Sequence, residues 1–401
     1  MDYFKVFLKR SSFCLFACLY IACSGSDETV VISSDTVVAE VNGKDITVEK
    51  LRDEIRLLMR QFRVVSKNDL TYEEKILLKT PVAFPSSLPA LGSPIINITD
   101  TINMLGGGTL KMKFYEPKKL VATSEILDAV SSGKVNAGYT TAGYHAGKMP
   151  ASPIFSAVPF GPEAGEYLAW MLYGNGGKLY QEMYDTNGYN VHVLPCSIIS
   201  PETSGWFANE INSPADLKGL NMRFFGLGAK VMEKLGVSTV GLPGGEIFGA
   251  LEKGAIDATE FSQPAIDQRL GLHKIVKYNY FPGWHQQATV FELLVNGDAW
   301  AKMSERQQTV VETACRASLT NSFAEGEASQ FPVMAKAEEN GVKIRYWSPE
   351  MLDTFSTTWD QVAVEFAAED AFFAKVWADL SEFRAGYDLW EANAFLPRAA
   401  K

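Results

Sequence analysis

The sequence predicts an α/β protein with two similar lobes, on three observations. The chain has 401 residues, which is enough for two domains and an extension. From about residue 76, segments with strand patterning alternate with segments of helical spacing, such as the predicted helix with Ile95, Ile98, Ile102 and Leu105. One helix–glycine–strand unit occurs twice, at residues 125–139 and 246–260. Such a short repeat could arise by chance, but two similar lobes facing one cleft would also produce it.

The repeated unit predicts where ligand-facing side chains lie. Its matched residues are Glu125, Ile126, Ala129, Gly133 and Ala137 in the first copy and Glu246, Ile247, Ala250, Gly254 and Ala258 in the second. The glycine stands where a helix commonly ends in left-handed backbone. A short buried strand follows, and open α/β sheets bind ligands at the carboxyl ends of their strands. The units end on Tyr139 and Glu260, which we therefore expect to face one cleft from opposite sides.

The composition describes a globular protein that does not bind nucleic acid. Hydrophobic residues make up 47% of the chain, and the formal net charge is −10. A phosphate backbone requires a basic surface, so this charge argues against DNA and RNA as partners. Of 5 cysteines, Cys196 and Cys315 lie in the body of the chain without Cys-x-x-Cys spacing. We expect these two to be buried free thiols, with a bond between them as the alternative.

Residues 1–23 are typical of an export signal. Lys5, Lys9 and Arg10 precede a short apolar run, residues 13–22, that is too short to span a bilayer. The run ends at Cys23, and this junction resembles a lipoprotein cleavage box in which Cys23 would become the lipidated first residue. A plain cleaved signal is the alternative.

Residues 24–79 are predicted to be a separate N-terminal extension. An Asn42-Gly43 turn joins two strand-like runs within residues 38–47. Thr47 is placed to cap a helix whose apolar stripe is Leu51, Ile55, Leu58 and Met59. This short stretch resembles the chaperone segment of parvulin-type prolyl isomerases, but no isomerase domain follows. The extension is therefore predicted to be an added module, or a fused or misassembled segment.

The remaining chain divides into lobe I at residues 80–200, lobe II at 201–295, and a return segment at 296–401. In the return segment, Asn296 or Asp298 caps one helix and Ser304 begins a long one. The final residues are mostly helical, with an aromatic stripe that includes Phe355, Trp359, Phe366, Phe373 and Trp377. At helical spacing, such a stripe is typical of a core or a subunit interface.

Eight motifs, in order along residues 81–395, resemble the solute-binding subunits of TRAP (tripartite ATP-independent periplasmic) transporters. They are residues 84–88 (FPSSL), 141–144 (TAGY) with Gly147 and Lys148, 158–162 (VPFGP), 205–207 (GWF), 219–223 (GLNMR), 242–246 (LPGGE), 254–260 (GAIDATE) and 281–285 (FPGWH). The branch they resemble most binds 2-oxo acids and lactate. The resemblance implies a two-lobed periplasmic-binding-protein-like fold with a hinge and long C-terminal helices.

The resemblance also implies a function without catalytic residues. The protein would capture a small 2-oxo or 2-hydroxy monocarboxylate, such as pyruvate or lactate, with Ca²⁺ or Na⁺. It would deliver this ligand to the membrane permease subunits of the transporter. Related proteins form dimers through a C-terminal helix, so a homodimer is a further expectation.

Individual site residues carry over from the resemblance. Arg223 would hold the ligand carboxylate, which a planar guanidinium can grip with two hydrogen bonds. Glu260 would bind the cation together with the backbone carbonyl of Phe261. Glu202 stands where this branch usually has glutamine, and the added charge favours Ca²⁺ over Na⁺. Gln286 stands where an acid is common and offsets that charge.

Aromatic residues would wall the ligand pocket. Phe84, Tyr139, Tyr144 and Trp284 are the candidates, and each could instead belong to the core. His285 is expected to be structural.

Two other functions compete with ligand capture. A metal-dependent enzyme acting on a small carboxylic acid is the first, but the sequence shows no clustered nucleophile and base. A lipid-anchored, chaperone-like protein built on the N-terminal extension is the second.

Overall fold

The computed structural model describes residues 37–41, 44–47, 49–50, 53 and 74–396. The chain divides into two compact units, Met1–Tyr72 and Glu73–Lys401. In the first unit, strand β1 (Val37–Val41) pairs antiparallel with β2 (Lys44–Thr47), as the Asn-Gly signal predicts. The Thr47 hydroxyl accepts a hydrogen bond from the Lys50 amide at 3.4 Å, which confirms the predicted cap. The expected apolar stripe (Leu51, Ile55, Leu58 and Met59) and residues 1–23 lie outside the described residues.

Lobe I of the second unit contains two small sheets joined by one bridge. Strands β3 (Ile76–Pro81) and β4 (Leu110–Tyr115) are parallel. Strands β5 (Ala137–Thr140), β12 (Thr289–Asn296) and β6 (Val191–Ile199) form an antiparallel sheet in that spatial order. A bridge between Val82 and Tyr139 connects the two sheets. The side chains of β12 are buried along its whole length because it is the central strand.

Lobe II contains one mixed sheet of six strands. In chain order these are β7 (Gly205–Phe207), β8 (Asn221–Arg223), β9 (Ser238–Val240), β10 (Ala258–Thr259), β11 (Tyr278–Phe281) and β13 (Lys343–Tyr346). The spatial order is β13-β11-β7-β10-β8-β9. Strand β8 runs parallel to both β9 and β10, so the carboxyl ends of these three strands share one edge.

Eleven α-helices within residues 74–396 cover the sheets. They are α1 (Pro94–Leu105), α2 (Ile126–Ser131), α3 (Ala164–Tyr173), α4 (Gly176–Thr186), α5 (Gly226–Lys234), α6 (Gly244–Glu252), α7 (Pro264–Leu270), α8 (Gly297–Lys302), α9 (Glu305–Met334), α10 (Pro349–Glu369) and α11 (Ala371–Ala394). Helix α1 buries Ile95, Ile98 and Ile102 on one face, the spacing that predicts it. None of the described helices is both long and apolar enough to span a membrane.

Both copies of the repeated unit fold alike. Helix α2 leads to β5 through Gly133, and helix α6 leads to β10 through Gly254. The two glycines have φ angles of 72° and 68°, a left-handed conformation that a side chain disfavours. The sequence repeat therefore corresponds to one structural unit in each lobe.

Three segments cross between the lobes. The chain passes from β6 to β7, returns from β11 to β12, and crosses again along helix α9 before β13. Helix α9 has 30 residues and begins in a capping box of Ser304 with Gln307. It packs on β6 and α1 in lobe I and on α7 in lobe II. These three crossings are the connections about which the lobes can move.

The expectation of two free thiols is wrong. Cys196 on β6 and Cys315 on α9 form a disulfide with an S–S distance of 2.01 Å. The two residues are 119 positions apart, and only the packing of α9 across β6 brings them together. Sequence spacing cannot show this contact.

The C-terminal aromatic stripe is mainly core. Phe355, Trp359 and Phe373 are buried, and the Trp284 ring stacks on Phe355 with centroids 4.5 Å apart. Further along α11, Leu389 and Trp390 are exposed. The stripe therefore fixes α10 and α11 to the body, whereas the end of α11 leaves apolar side chains uncovered.

We predict that replacing both Cys196 and Cys315 with serine lowers the free energy of unfolding by about 2–5 kcal/mol, because the bond closes a long loop in the unfolded chain. Chemical denaturation with and without reductant measures this value. The double variant without reductant should match the reduced wild type. An oxidised wild type no more stable than the double variant would contradict the prediction.

Candidate functional site

A pocket lies between the lobes, where the crossing segments meet. The space inside it, counted together with open solvent at its mouth, is about 280 Å³. Lobe I supplies mostly apolar and hydroxyl side chains, lobe II supplies Arg223, and the crossings supply Glu202 and Gln286. The lining residues are Phe84, Leu91, Thr141, Tyr144, Glu202, Arg223, Phe225, Phe261, Gln286, Thr289 and Phe291.

Strand register places the charged residues together. Arg223 is the last residue of β8, and it pairs with Thr259 on the parallel strand β10. Glu260 follows β10 directly, so both residues lie at the carboxyl edge of the lobe II sheet. Glu202 lies in the crossing between β6 and β7, and its amide donates to the Gln286 carbonyl in the crossing between β11 and β12 at 3.2 Å.

Arg223 is an almost fully buried cation held by lobe II. Its Nε donates to the Leu242 carbonyl at 3.0 Å. Its Nη1 donates to the Glu260 carbonyl at 2.9 Å and to Glu260 Oε1 at 2.7 Å. The Phe261 ring lies against the guanidinium, with 5.3 Å between Cζ and the ring centroid. These contacts use Nε and Nη1, and Nη2 has no hydrogen-bond partner among the described residues.

Glu260 is ionised, and only one of its two carboxylate oxygens has hydrogen-bond partners. Its Oε1 also accepts the Phe225 amide at 2.5 Å, whereas its buried Oε2 has no hydrogen-bond partner. Burial is the largest influence and by itself would raise the pKa of Glu260. The positive charge of Arg223, the neighbouring His285 and the Phe225 amide together hold that pKa below its usual value. The site therefore contains a fixed carboxylate with one free oxygen.

Glu202 is the second buried carboxyl group. Its Oε1 accepts from Ser262 Oγ at 3.3 Å and from Thr289 Oγ1 at 3.5 Å, and its Oε2 has no partner. Burial, followed by the negative charge of Glu260, raises the pKa of Glu202 well above its usual value. Two carboxyl groups with unpartnered buried oxygens therefore face one small region.

A cation would satisfy these oxygens. Glu202, Glu260 and His285 each offer a ligand atom within 4.8 Å of one another, the only such group of three among the described residues. An unpaired buried carboxylate oxygen is costly, and a metal ion is a partner that compensates several at once. The Gln286 Oε1 atom is buried and unpartnered too, which adds a neutral oxygen donor nearby.

The predicted aromatic residues divide into two groups. Phe84 and Tyr144 line the pocket and stack with centroids 5.9 Å apart. Tyr139 and Trp284 are not among the lining residues. The Tyr139 hydroxyl bonds to Ser197 and to the Leu91 carbonyl, so this side chain supports the pocket from behind. Trp284 packs against Phe355 in the core.

Sequence reasoning missed several lining residues. Phe225 follows Arg223 at the strand end, while Thr289 and Phe291 lie on the returning strand β12. Alternation along β12 could have indicated inward-facing residues, but the strand is buried on both faces, so the pattern does not show which face points to the pocket. No strand alternation in the sequence marks Thr141 or Leu91 as facing the pocket.

Asp267 is a further residue that the sequence analysis missed. It is fully buried on α7, where its Oδ2 accepts the Trp206 indole N–H at 2.7 Å and its Oδ1 accepts the Ser262 amide at 3.1 Å. Burial raises the pKa of Asp267 to about 7. Because Ser262 contacts Glu202, Asp267 holds the segment that carries Glu260 and Phe261 next to the second carboxyl group.

Comparisons with known proteins agree with this arrangement. A family model described as DctP, bacterial extracellular solute-binding protein, family 7, matches residues 95–370. A monocarboxylate 2-oxoacid-binding periplasmic protein from Nostoc sp. is 35% identical over 283 residues, covering 71% of this chain and 77% of that protein.

Solved structures of similar proteins share the fold. A TRAP transporter solute-binding protein from Bordetella bronchiseptica, a dimer with calcium and picolinate, has a TM-score of 0.78 at 29% identity and covers 80% of this chain and 95% of its own. One from Pseudoalteromonas atlantica with sodium and pyruvate has a TM-score of 0.77 at 29% identity, with coverage of 80% and 97%. One from Colwellia psychrerythraea with calcium and pyruvate has a TM-score of 0.76 at 29% identity, and the match covers 80% of this chain and 98% of that one.

These likenesses confirm the predicted two-lobed fold with long C-terminal helices and the predicted family. The family comprises binding proteins of transporters rather than enzymes, so the catalytic alternative is not supported. Since the family model matches more than half of the chain, the chain belongs to family 7 of the bacterial extracellular solute-binding proteins, the periplasmic subunits of TRAP transporters.

Proposed function

We propose that this protein captures a small 2-oxo or 2-hydroxy monocarboxylate, of the pyruvate and lactate kind, together with Ca²⁺ or Na⁺. The observation that carries this proposal is the buried Arg223 beside two carboxyl groups that each keep one unpartnered oxygen. Relatives with bound pyruvate and sodium, or pyruvate and calcium, support it. The loaded protein would then deliver its ligand to the membrane permease subunits.

The guanidinium of Arg223 would hold the ligand carboxylate. Its Nη2 is the donor that contacts within the protein leave for the pocket, and burial strengthens an ionic hydrogen bond there. The two-bond grip expected from sequence would require Glu260 to release Nη1. We therefore propose that Nη2 alone donates to the ligand, so the cation must supply much of the remaining affinity.

The charge balance favours a divalent cation. Glu202, Glu260 and the ligand carboxylate bring three negative charges when ionised, against one positive charge on Arg223. Ca²⁺ compensates this excess better than Na⁺ and accepts many oxygen ligands. A 2-oxo or 2-hydroxy acid offers a second oxygen next to its carboxylate, so one cation could bind both. We propose the Phe261 carbonyl as a further ligand, as the family resemblance implies.

The apolar lining would select a short ligand and exclude water. Phe84, Phe225 and Phe291 contribute apolar rings to the lining of the pocket. Because lining residues come from both lobes, ligand binding favours the closed arrangement over an open one. A closed binding protein is the form that a permease could recognise.

We also propose that the protein is attached to lipid and forms a dimer. Cys23 would carry a lipid that anchors the protein to a membrane on its periplasmic side. The added module would end before residue 79, the bound expected from sequence, because strand β3 (Ile76–Pro81) belongs to lobe I. A homodimer is proposed because Leu389 and Trp390 on α11 are exposed and one similar protein is described as a dimer.

Replacing Arg223 with lysine should weaken pyruvate binding by roughly 30-fold or more, equivalent to about 2–5 kcal/mol. Lysine keeps the charge beside Glu260, so the fold should persist, but one amine cannot also reach the ligand. Titration calorimetry with pyruvate and Ca²⁺ measures the loss. Arg345→Ala, which removes a surface arginine paired with Glu210, should bind normally. An Arg223→Lys protein with wild-type affinity would refute the assignment.

The affinity for Ca²⁺ should fall as pH is lowered. The raised pKa of Glu202 means that a proton competes with the cation, and the competition ends once pH exceeds that pKa. Glu202→Gln should bind Ca²⁺ at least about tenfold more weakly and should lose this pH dependence. Calorimetry across pH tests both effects, with the exposed Glu246→Gln as control. An unchanged pH slope in Glu202→Gln would contradict the prediction.

The lipid proposal predicts that the mature protein begins at Cys23 with attached acyl chains. Fractionation of a Gram-negative host should find the wild type with the membranes. The Cys23→Ser variant should be in the soluble periplasmic fraction, because serine cannot carry the acyl chains that anchor the amino terminus. Mass analysis of the amino-terminal peptide checks the attachment. An unmodified peptide that begins elsewhere would rule out lipidation.

A further inference from the structure

His285 is buried beside both carboxyl groups without any hydrogen bond to its ring. It is 1% exposed, and neither Nδ1 nor Nε2 has a partner. The structural role expected from sequence accounts for its packing, since the ring lies 4.9 Å from the Phe224 ring between centroids. It does not account for two buried polar nitrogens, each of which costs free energy when left unpaired.

The ring nitrogen Nε2 points at the free carboxylate oxygens. It lies 3.7 Å from Glu260 Oε2 and 3.9 Å from Glu202 Oε2. Both distances are too long for hydrogen bonds. Atoms that bind one metal ion at about 2.1–2.4 Å commonly lie about 3–4 Å from each other, so these distances suit ligands of a shared ion.

Backbone packing holds this arrangement in place. A Cβ atom at Gly283 would lie 2.1 Å from the Glu202 carbonyl oxygen, and one at Gly228 would lie 2.8 Å from His285 Cβ. Only glycine therefore allows the crossing that carries His285 to approach both the Glu202 segment and helix α5. The close approach of these backbone segments therefore brings the side chains of Glu202, Glu260 and His285 together.

We propose that the site also accepts a first-row divalent cation such as Mn²⁺ or Zn²⁺, and that His285 Nε2 is the third protein ligand of such an ion. Na⁺ and Ca²⁺ take oxygen ligands, whereas an imidazole nitrogen binds first-row transition metals. Two carboxylates and one imidazole form a mixed donor set that Mn²⁺ or Zn²⁺ satisfies. This inference rests on the proposed function, because it concerns the same cation site.

The test is electron spin echo spectroscopy of the full chain with Mn²⁺ and pyruvate. Wild type should show coupling between Mn²⁺ and an imidazole ¹⁴N nucleus. His285→Phe, which keeps an aromatic ring next to Phe224 but has no nitrogen, should lose that coupling. Calorimetry should show Mn²⁺ affinity reduced at least about tenfold in His285→Phe, with a smaller change for Ca²⁺.

Two further variants separate ligation from packing. His285→Gln supplies an oxygen donor, so it should regain part of the Mn²⁺ affinity without the nitrogen signal. His145→Gln alters another buried histidine, which pairs with Glu292 and does not line the pocket, and should keep the coupling. Thermal unfolding without metal identifies any variant that fails to fold, and His285→Gln then provides the decisive comparison.

Failure of this inference differs from failure of the proposed function. Wild type that binds pyruvate with Ca²⁺, yet shows no ¹⁴N coupling and no loss of Mn²⁺ affinity in His285→Phe and His285→Gln, overturns only the His285 ligand. In that case the imidazole is a charge partner of the carboxylates without a metal bond. Wild type that binds pyruvate in no cation-dependent manner overturns the proposed function itself.

Discussion

The buried ion pair of Arg223 and Glu260 is the interaction on which the site depends. Each residue would be costly to bury alone, because an uncompensated charge in the interior loses its hydration. Arg223 Nη1 donates twice to Glu260, while the Leu242 carbonyl accepts from Nε and the Phe225 amide donates to Glu260 Oε1. Two specific groups stay free, Arg223 Nη2 and Glu260 Oε2. One free group is a donor for an anion and the other is an acceptor for a cation. Under the proposed function, the pair would bind a carboxylate and a metal ion side by side.

The remaining structure brings other groups to that pair. The crossings between lobes carry Glu202 and Gln286, and lobe I brings Phe84, Tyr144 and Phe291. Asp267 and Trp206 anchor the segment after Glu260 from behind. Helix α9 and the disulfide it forms with β6 stiffen the lobe I side of the hinge. A site assembled from both lobes is complete only when they are closed. Ligand binding is therefore coupled to closure of the lobes.

The sequence predicted much of this arrangement because regular elements leave periodic signals. The repeat, the α1 apolar face and the Ser304 cap each follow from local patterns, and the structure confirms them. Motifs identified Arg223 and Glu260, whose proximity follows from parallel strands sharing one edge. What escaped prediction depends on packing between distant segments. The Cys196–Cys315 bond, the displacement of Tyr139 and Trp284 from the pocket lining, and the roles of Asp267 and Phe225 have no local signal.

The most direct test of the account is a crystal structure of the full chain grown with pyruvate and Ca²⁺. The account predicts a pyruvate carboxylate within hydrogen-bond distance of Arg223 Nη2 and an ion bound by oxygens of Glu202 and Glu260. Pyruvate bound away from Arg223, or a pocket in which Glu202 and Glu260 hold no ion, would contradict it.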